Sequence, residues 1–440
     1  MDISVAGTGY VGLVTGVCLA SRGHKVTCVE TDRQKLAALR AGEPPIFEPG
    51  LRALMAESAA NLTFTDDYAG AYKNAEVIFI SVGTPERGDG YANLKYVYDA
   101  AEQIAASAES GCTVVMKSTV PMGTCEKLEK FFACHAGENV RIDVASNPEF
   151  LSQGTAVRDF LNEQRLVFGV RSASAEKVLR AVYAGFTKPV IVTDPQTAEM
   201  IKYASNNFLA LKISFINEIA NICELVGADV DTVSYGMGLD KRIGEKFLRA
   251  GIGYGGSCFP KDTLALHWLA KYHDYELKTV KAAIEVNENQ RIRLIKKLRK
   301  YHKSVEGLRV AVLGLTFKPG TDDLREAPSV MNINILLEEG AAVTVWDPVA
   351  VPRVKAMFGD QVGYADTIER AVEGTDACLV LTEWEEIKNF DLKKFKHLMK
   401  TPLILDGRNC FDLRAAAEAG ITYDSIGRKR VTPAPDGSCA

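Results

Sequence analysis

Several absences narrow this sequence first. No CxxC pair or other close cysteine spacing occurs. The ten cysteines, at positions 18, 28, 112, 125, 134, 223, 258, 378, 410 and 439, are scattered. In a reducing compartment that spacing argues against disulfides and zinc and predicts free thiols, with no metal site. There is no excess of positive charge: 52 Lys and Arg stand against 56 Asp and Glu, a net charge of −4. No overall basic field recruits nucleic acid or an anionic membrane, so any anionic ligand must be met by local cations. No apolar run reaches membrane-spanning length, and residues 1–5 enter a strand-like run without a basic leader or cleavage site, so a cytoplasmic protein is expected. Low-complexity segments and short-period repeats are also missing. What is present is an ordinary globular balance, 47% apolar and 25% charged over 440 residues, enough for two or three domains with sizeable cores.

Short apolar runs at 3–6, 26–29, 77–82, 113–116, 142–145, 166–170 and 190–192 alternate with helical patterns. That rhythm predicts a parallel, doubly wound sheet covered by helices. Asp194 then reads as an N-cap with Pro195 at the first helical position, opening a helix that persists to Gly227. A helix of about 30 residues is about 45 Å long, more than one domain needs. It is read as a connector into a helical region ending near residue 295, with apolar surface left over for a dimer interface. The basic run 291–303 reads as a solvated helix face and linker. Beyond it the strand runs 310–313, 343–346, 379–381 and 403–405 and the helix 330–337 repeat the α/β rhythm. The expected fold is therefore α/β, with two Rossmann-like doubly wound domains joined by a long central helix and a helical dimerisation region. The expected boundaries are 1–194, 195–295 and 296–440, with a frayed tail from 431.

Gly7-Thr8-Gly9-Tyr10-Val11-Gly12 follows a strand and enters a helix. That is the context in which GxGxxG binds a dinucleotide: Gly7 for the tight turn, Gly9 for approach to the pyrophosphate, Gly12 for helix packing. Glu30 ends the second strand, where a carboxylate can accept from ribose hydroxyls and would repel a 2′-phosphate. NAD is therefore expected over NADP. Asp32 is a rival for that role, while Arg33 and Lys35 could contact a phosphate. Thr84, in Val82-Gly83-Thr84-Pro85, and Thr119, in Lys117-Ser118-Thr119-Val120-Pro121, lie just past two further strands. They are ligand-side loops or ordinary proline turns.

The chemistry is concentrated in Gly253-Tyr254-Gly255-Gly256-Ser257-Cys258-Phe259-Pro260-Lys261-Asp262. Cys258 falls at the start of a helical run, where partial positive charge favours a thiolate over the free thiol of pKa ~8.5. Lys261 could assist, and Asp262 could orient water or take a proton. The alternative is a structural cysteine in a glycine turn. Lys202 and Asn206 share a helix face and could stabilise an oxyanion, or be a solvated lysine and a neighbouring amide. Glu149, in Ser146-Asn147-Pro148-Glu149-Phe150-Leu151, is a general base, a sugar-hydroxyl acceptor or plain turn chemistry. A thiol nucleophile beside a hydride acceptor suggests oxidation through a thiohemiacetal and thioester, from alcohol to acid.

These motifs, with Arg242-Ile243-Gly244, Phe317-Lys318 through Arg325, and Asp406-Gly407-Arg408, resemble those of the UDP-glucose 6-dehydrogenase family of nucleotide-sugar dehydrogenases along nearly the whole chain. The resemblance implies an NAD domain, a central dimerisation region and a UDP-gripping domain. It implies that Cys258 is the nucleophile, Lys202 and Asn206 stabilise oxyanions, Asp262 and Thr119 hold the catalytic water, and Glu149 is the acid/base. It carries cofactor contacts onto Val11, Glu30, Lys35, Thr84, Thr119, Lys261 and Arg325. Substrate contacts fall on Glu149, Phe150, Leu151, Ser152, Gln153, Lys202, Asn206, Phe247, Leu248, Arg249, Ala250, Gly251, Gly255, Lys318 and Arg408, with Arg242 crossing to the partner of a homodimer. Two positions depart from the pattern. Gln153 stands where a glutamate is usual, which bears on a cofactor or water contact, and Glu30 replaces the commoner aspartate.

The implied reaction is oxidation of UDP-glucose to UDP-glucuronate with NAD. Phe317-Lys318-Pro319 and Trp346-Asp347-Pro348 lean towards that sugar. The rivals are a GDP-mannose or UDP-N-acetylhexosamine dehydrogenase of the same mechanism, a non-catalytic NAD and UDP-sugar binder, and a two-electron hydroxyacid dehydrogenase that leaves Cys258 idle.

Overall fold

The computed structural model describes residues 1–162 and 164–433; the expected tail, Cys439 included, lies mostly outside them. By contacts the chain forms two compact units, one of Met1–Ser205 with Leu264–Tyr275 and one of Asn206–Thr263 with the residues from Glu276 on.

The first unit is built on eight strands: β1 (Asp2–Ala6), β2 (Lys25–Val29), β3 (Leu62–Thr65), β4 (Val77–Ile80), β5 (Cys112–Met116), β6 (Ile142–Ser146), β7 (Leu166–Gly169) and β8 (Val190–Thr193). Their order is β3-β2-β1-β4-β5-β6-β7-β8. The chain reverses direction across the sheet between β1 and β4, the kind of switch point at which such sheets hold ligands. Alternate residues feed cores on opposite faces. Val5, Phe79 and Val115 pack on one side, and Ala6, Ile78, Ile80 and Val114 on the other. Burial on both faces is why these strands read as continuous apolar runs. The sheet departs from the all-parallel expectation at one place, where β7 meets β6 antiparallel through Ser146 and Gly169.

The second unit holds β9 (Arg309–Leu313), β10 (Ala342–Trp346), β11 (Gly363–Tyr364), β12 (Ala377–Val380), β13 (Leu403–Asp406) and β14 (Thr422–Ser425), all parallel in the order β11-β10-β9-β12-β13-β14. Val310 and Val312 enter one core and Ala311 and Leu313 the other. The helix Pro195–Val226 runs for 32 residues and joins the two units. Asp194 caps it by accepting from Thr197 N at 2.9 Å, and Gly227, at φ +79°, ends it. Ile216, Ala220 and Cys223 of this helix enter the second unit's core, while Phe208, Phe215 and Ile222 are exposed.

The basic run corrects an expectation. Its helix, Arg293–Tyr301, is solvated on one face alone, because Lys297 is buried between Glu224 and Asp424 at 2.8 and 2.7 Å. A lysine stem covers apolar surface well, and here two carboxylates meet its ammonium. Among the described residues no helix is long and apolar enough to cross a membrane, and no cluster of His, Cys, Asp or Glu is arranged to hold a metal.

Candidate active site

Gly7 turns the chain out of β1 at φ +91°, a conformation that favours glycine. Gly9 is the N-cap of the helix Tyr10–Ser21, accepting from Leu13 N at 2.9 Å. A methyl group on Gly12 would lie 2.0 Å from Gly7 O, so this helix can approach the strand turn through glycine alone. The opening N–H groups of any helix lack partners within it, and they suit a pyrophosphate. Glu30 is buried at the end of β2, where Thr8 Oγ1 donates to one carboxylate oxygen and Asp32 N to the other at 2.8 Å. Asp32, the rival, caps the helix Arg33–Arg40 instead, accepting from Gln34 N and Lys35 N. The Lys35 N–H above all holds the Asp32 carboxyl below its usual value. Lys35 itself is exposed. These residues fit a dinucleotide.

The loops after β4 and β5 are tied together: Thr84 Oγ1 donates to Thr119 O at 2.9 Å and Ser118 Oγ to Val82 O at 2.7 Å. After β6, Glu149 is buried and accepts from Lys202 Nζ at 3.0 Å. Its other oxygen takes Leu151 N. Lys202 is buried too and stands 5.4 Å from the centre of the Phe150 ring, while Arg165 covers that ring at 3.9 Å. Burial excludes the solvated-lysine alternative, while the Leu151 N bond to Glu149 is the turn chemistry of the other reading. Ser152 N accompanies Thr155 Oγ1 in donating to Asp159 Oδ2. Gln153 is half-buried in the same loop.

Cys258 occupies the N-cap position of the helix Phe259–Tyr272, its carbonyl accepting from Asp262 N at 2.9 Å. Its thiol is half-exposed, and the Ser257 hydroxyl lies 3.8 Å from the sulfur. Burial pushes the thiol of Cys28 up to about 12 and that of Cys112 up to about 11, and those of Cys125, Cys223, Cys378 and Cys410 up as well, while Cys134 is exposed and lies in the other unit. The loop before Cys258 needs its glycines. A Cβ on Gly255 would fall 2.2 Å from Glu326 O, and one on Gly256 2.8 Å from the Phe317 ring. Gly256 N donates to Arg325 O at 2.8 Å, and Asn287 clamps Tyr254 through both N–H and carbonyl. Asp262 is buried, with Asn206 Nδ2 2.6 Å from one oxygen and Lys261 Nζ 2.5 Å from the other. Asn206 thus meets the aspartate, and Asn207 Nδ2 donates to the Asp262 carbonyl. Arg325 is held in a two-pronged pair by Asp323, which first of all, with Cys258 also contributing, raises the guanidinium pKa further.

The cations of the second unit are held in different ways. Arg408 donates to the carbonyls of Leu381 and Phe317 at 2.9 and 3.0 Å and lies 3.4 Å from Glu383. Arg249 donates to Arg408 O at 2.7 Å. Lys318 is half-buried over Phe317. Gly251 is fixed through Asn217 and Gln290, and a Cβ there would come 2.9 Å from Gly407 O. Leu248 and Ala250 turn into the core, leaving backbone for any ligand, whereas Phe247 is exposed at φ +64°. Arg242 is exposed and paired with Asp240 two residues away. In the Trp346-Asp347-Pro348 motif, Asp347 accepts from Leu315, Val349 and Ala350 N–H groups and Trp384 Nε1, so this motif builds the turn after β10.

Sequence reasoning passes over Tyr10, Glu48, Asn287 and Asp323. For Glu48 a signal existed, since it sits in the proline- and glycine-dense Pro44-Pro45-Ile46-Phe47-Glu48-Pro49-Gly50. An amide such as Asn287 inside a helical pattern carried none.

Two doubly wound sheets, a glycine fingerprint and a thiol at a helix N-cap define a dinucleotide-binding α/β protein with a candidate nucleophile. More particularly, the chain belongs to the UDP-glucose/GDP-mannose dehydrogenase family: the family's NAD binding domain matches residues 1–187, its central domain 196–289 and its UDP binding domain 311–413. A UDP-glucose 6-dehydrogenase of Bacillus subtilis is 49% identical over 435 residues, 98% of this chain and 99% of its own. The solved UDP-glucose dehydrogenase of Pyrobaculum islandicum superposes with a TM-score of 0.91 at 38% identity, covering 97% of this chain and 98% of that one. A UDP-D-ManNAc dehydrogenase from Pyrococcus horikoshii follows at 0.86 and 28%, covering 97% and 99%.

Proposed function

We propose that this chain oxidises the 6-hydroxyl of UDP-glucose to the carboxylate of UDP-glucuronate, using NAD twice per sugar. The observation that carries the reading is Cys258, a half-exposed thiol at a helix N-cap beside Asp262, in a chain with NAD and UDP binding domains. NAD, when bound at Gly7, Gly9, Val11, Gly12, Glu30, Lys35, Thr84, Thr119, Lys261 and Arg325, supplies the hydride acceptor.

The residues divide the remaining work. As the alcohol becomes aldehyde its hydroxyl proton passes to the water held by Asp262 while the hydride goes to NAD, and Lys202 and Asn206, one turn apart on one helix, stabilise negative charge on the substrate oxygen then and again as Cys258 Sγ adds to the aldehyde carbon. The helix end and Arg325 favour the attacking thiolate. Once the thiohemiacetal is oxidised to the thioester, Asp262 and Thr119 hold the water that attacks it. Glu149, buried against Lys202, moves the proton as C–S cleavage returns the thiolate. Lys318, Arg408 and the 247–251 segment grip the UDP-sugar, and Arg242 reaches the partner's substrate in a homodimer formed through the exposed face of the long helix. The same reading divides the chain into NAD-binding residues 1–194, dimerising 195–295 and UDP-sugar-binding 296–440. It places the protein in the cytoplasm, in keeping with nine free thiols among the described residues.

The test is NADH formed per UDP-glucose consumed at excess NAD, with the product identified. Two NADH and UDP-glucuronate are expected, and Cys258→Ser is expected to abolish steady-state acid formation while NAD still binds. Turnover of UDP-N-acetylmannosamine or GDP-mannose in place of UDP-glucose would move the substrate and keep the mechanism. Saturable NAD binding without turnover of any nucleotide sugar would make the protein a binder.

A further inference from the structure

We propose that Glu48 is a positioning residue that fastens the 149–156 segment to the dinucleotide fingerprint, so that cofactor site and sugar-side loop hold one geometry. The inference rests on the dehydrogenase reading for its consequence, though not for its geometry. Glu48 is buried in the link between the helices Arg33–Arg40 and Leu51–Glu57. Its carboxylate accepts from Gly154 N at 2.6 Å with one oxygen and from Ala156 N at 2.8 Å with the other. The same Gly154 N–H points to Tyr10 Oη at 2.9 Å, and Tyr10 is the first residue of the fingerprint helix.

Other bonds of the segment are local. Leu151 N donates to Glu149, Ser152 N to Asp159 at 3.2 Å, and Thr155 N to Ser152 O at 3.0 Å. Lys202 holds the near end of the segment through Glu149, and Glu48 with Tyr10 holds the far end from outside it. Gly154, at φ +83°, makes the hook that presents both N–H groups to one carboxylate. Since Glu149 both opens this segment and pairs with Lys202, releasing the far end loosens the placement of the candidate acid/base. A link between the fingerprint and this loop also suits a reaction in which the reduced cofactor must be exchanged for NAD while the sugar stays bound.

The test compares Glu48→Gln, Glu48→Asp and Tyr10→Phe in the full chain. A glutamine keeps the shape but turns one acceptor into a donor facing an N–H. An aspartate keeps both acceptors on a shorter arm, and Tyr10→Phe removes one of two acceptors from Gly154. Removing a charge-assisted bond predicts a rise of about tenfold or more in KM for UDP-glucose and in amide hydrogen exchange of 150–156 for Glu48→Gln. The Kd for NADH should stay within about threefold, Glu48→Asp should recover part of the loss, and Tyr10→Phe should be mild. Unchanged exchange and KM in Glu48→Gln overturn the proposal. So does a rise in exchange spread over the whole first unit with a lowered Tm and lost NADH binding, which marks a general stabiliser. If the unaltered protein makes no NADH from any nucleotide sugar, the dehydrogenase reading falls, and confinement of the exchange change to 150–156 decides the tether by itself.

Discussion

A buried ammonium facing a buried carboxylate has an energetic signature that an exposed pair lacks. Lys202 and Glu149 are 3.0 Å apart, with side chains 4% and 5% exposed. At a surface such a pair is worth little, but in the interior the loss of one partner strands the other's charge. Lys202→Met is therefore expected to lower unfolding stability by about 3–5 kcal/mol, and Glu149→Gln by a similar amount. Lys202→Met with Glu149→Gln should cost much less than the sum. Urea unfolding of the four proteins gives the coupling; additive losses would show that the two residues do not depend on each other. Both single variants should also lose turnover, because the pair that stabilises the loop is the pair assigned to the oxyanion and the proton. The double variant then separates the roles, with stability recovered and activity still absent.

At the scale of elements, the glycine-rich loop and the basic helix each yield a prediction. Gly255→Ala places a methyl 2.2 Å from a backbone oxygen, Glu326 O, which cannot rotate away as a side chain could. Overpacking of this kind costs about 1–3 kcal/mol, and the loop that moves is the one carrying Cys258. Turnover should fall about 100-fold or more with NADH binding retained, since a displacement of about 1 Å is enough to misplace a nucleophile. Near-normal kcat would mean that the loop yields without moving the thiol. The helix Arg293–Tyr301 predicts a pH dependence through Glu224. Burial alone would raise this carboxyl, but Lys297, the Gly427 N–H and Arg293 outweigh it and hold the pKa below the usual carboxylate range. A depressed value means stability fully present above the unfolded pKa of about 4.3 and lost as pH falls through the folded one. The stability gap between the unaltered chain and Glu224→Gln should thus narrow below about pH 4.3 in urea titrations; a constant gap would refute the assignment. Lys297 and Glu224 also mark a limit of legibility. Strands buried on both faces were readable as apolar runs, and the candidate nucleophile as a thiol in a glycine turn. β3, β11 and β14 escaped because they are short and partly exposed or polar, and hydropathy carries no strand direction, so the antiparallel meeting of β6 and β7 was invisible. A charge run shows its composition, not which lysine turns inward, and Glu48 acts across more than a hundred residues.

At the scale of the whole molecule, the second unit leaves an unusual amount of large apolar side chain in water. Phe208, Phe215 and Ile222 recur every seven residues on the long helix at 62%, 44% and 54% exposure, followed by Leu225 and Val226 and then by Tyr235 and Leu239. Residues seven apart share a helix face, and apolar surface of this kind marks an interface. Arg242, in the same unit, has a side chain 88% exposed and meets Asp240 alone among the ion pairs described. If a second copy covers the helix face, a twofold axis lets each Arg242 enter the partner's site, and that arrangement has a test which no cis role can imitate. Arg242→Ala should be inactive because every site lacks the arginine, and Cys258→Ser because every site lacks the nucleophile. In a mixed dimer, one site then combines Cys258 from the Arg242→Ala chain with Arg242 from the Cys258→Ser chain and is whole. The purified mixed dimer, made by co-expression with two tags, should recover about half of the unaltered activity, since one site of the two is intact. If Arg242 acts within its own chain, both sites in the mixed dimer stay defective and no activity returns. Phe208→Glu placed in both chains supplies the remaining arm: it should separate the subunits in sedimentation and remove the recovered activity with them, tying the apolar face of the helix to the shared site.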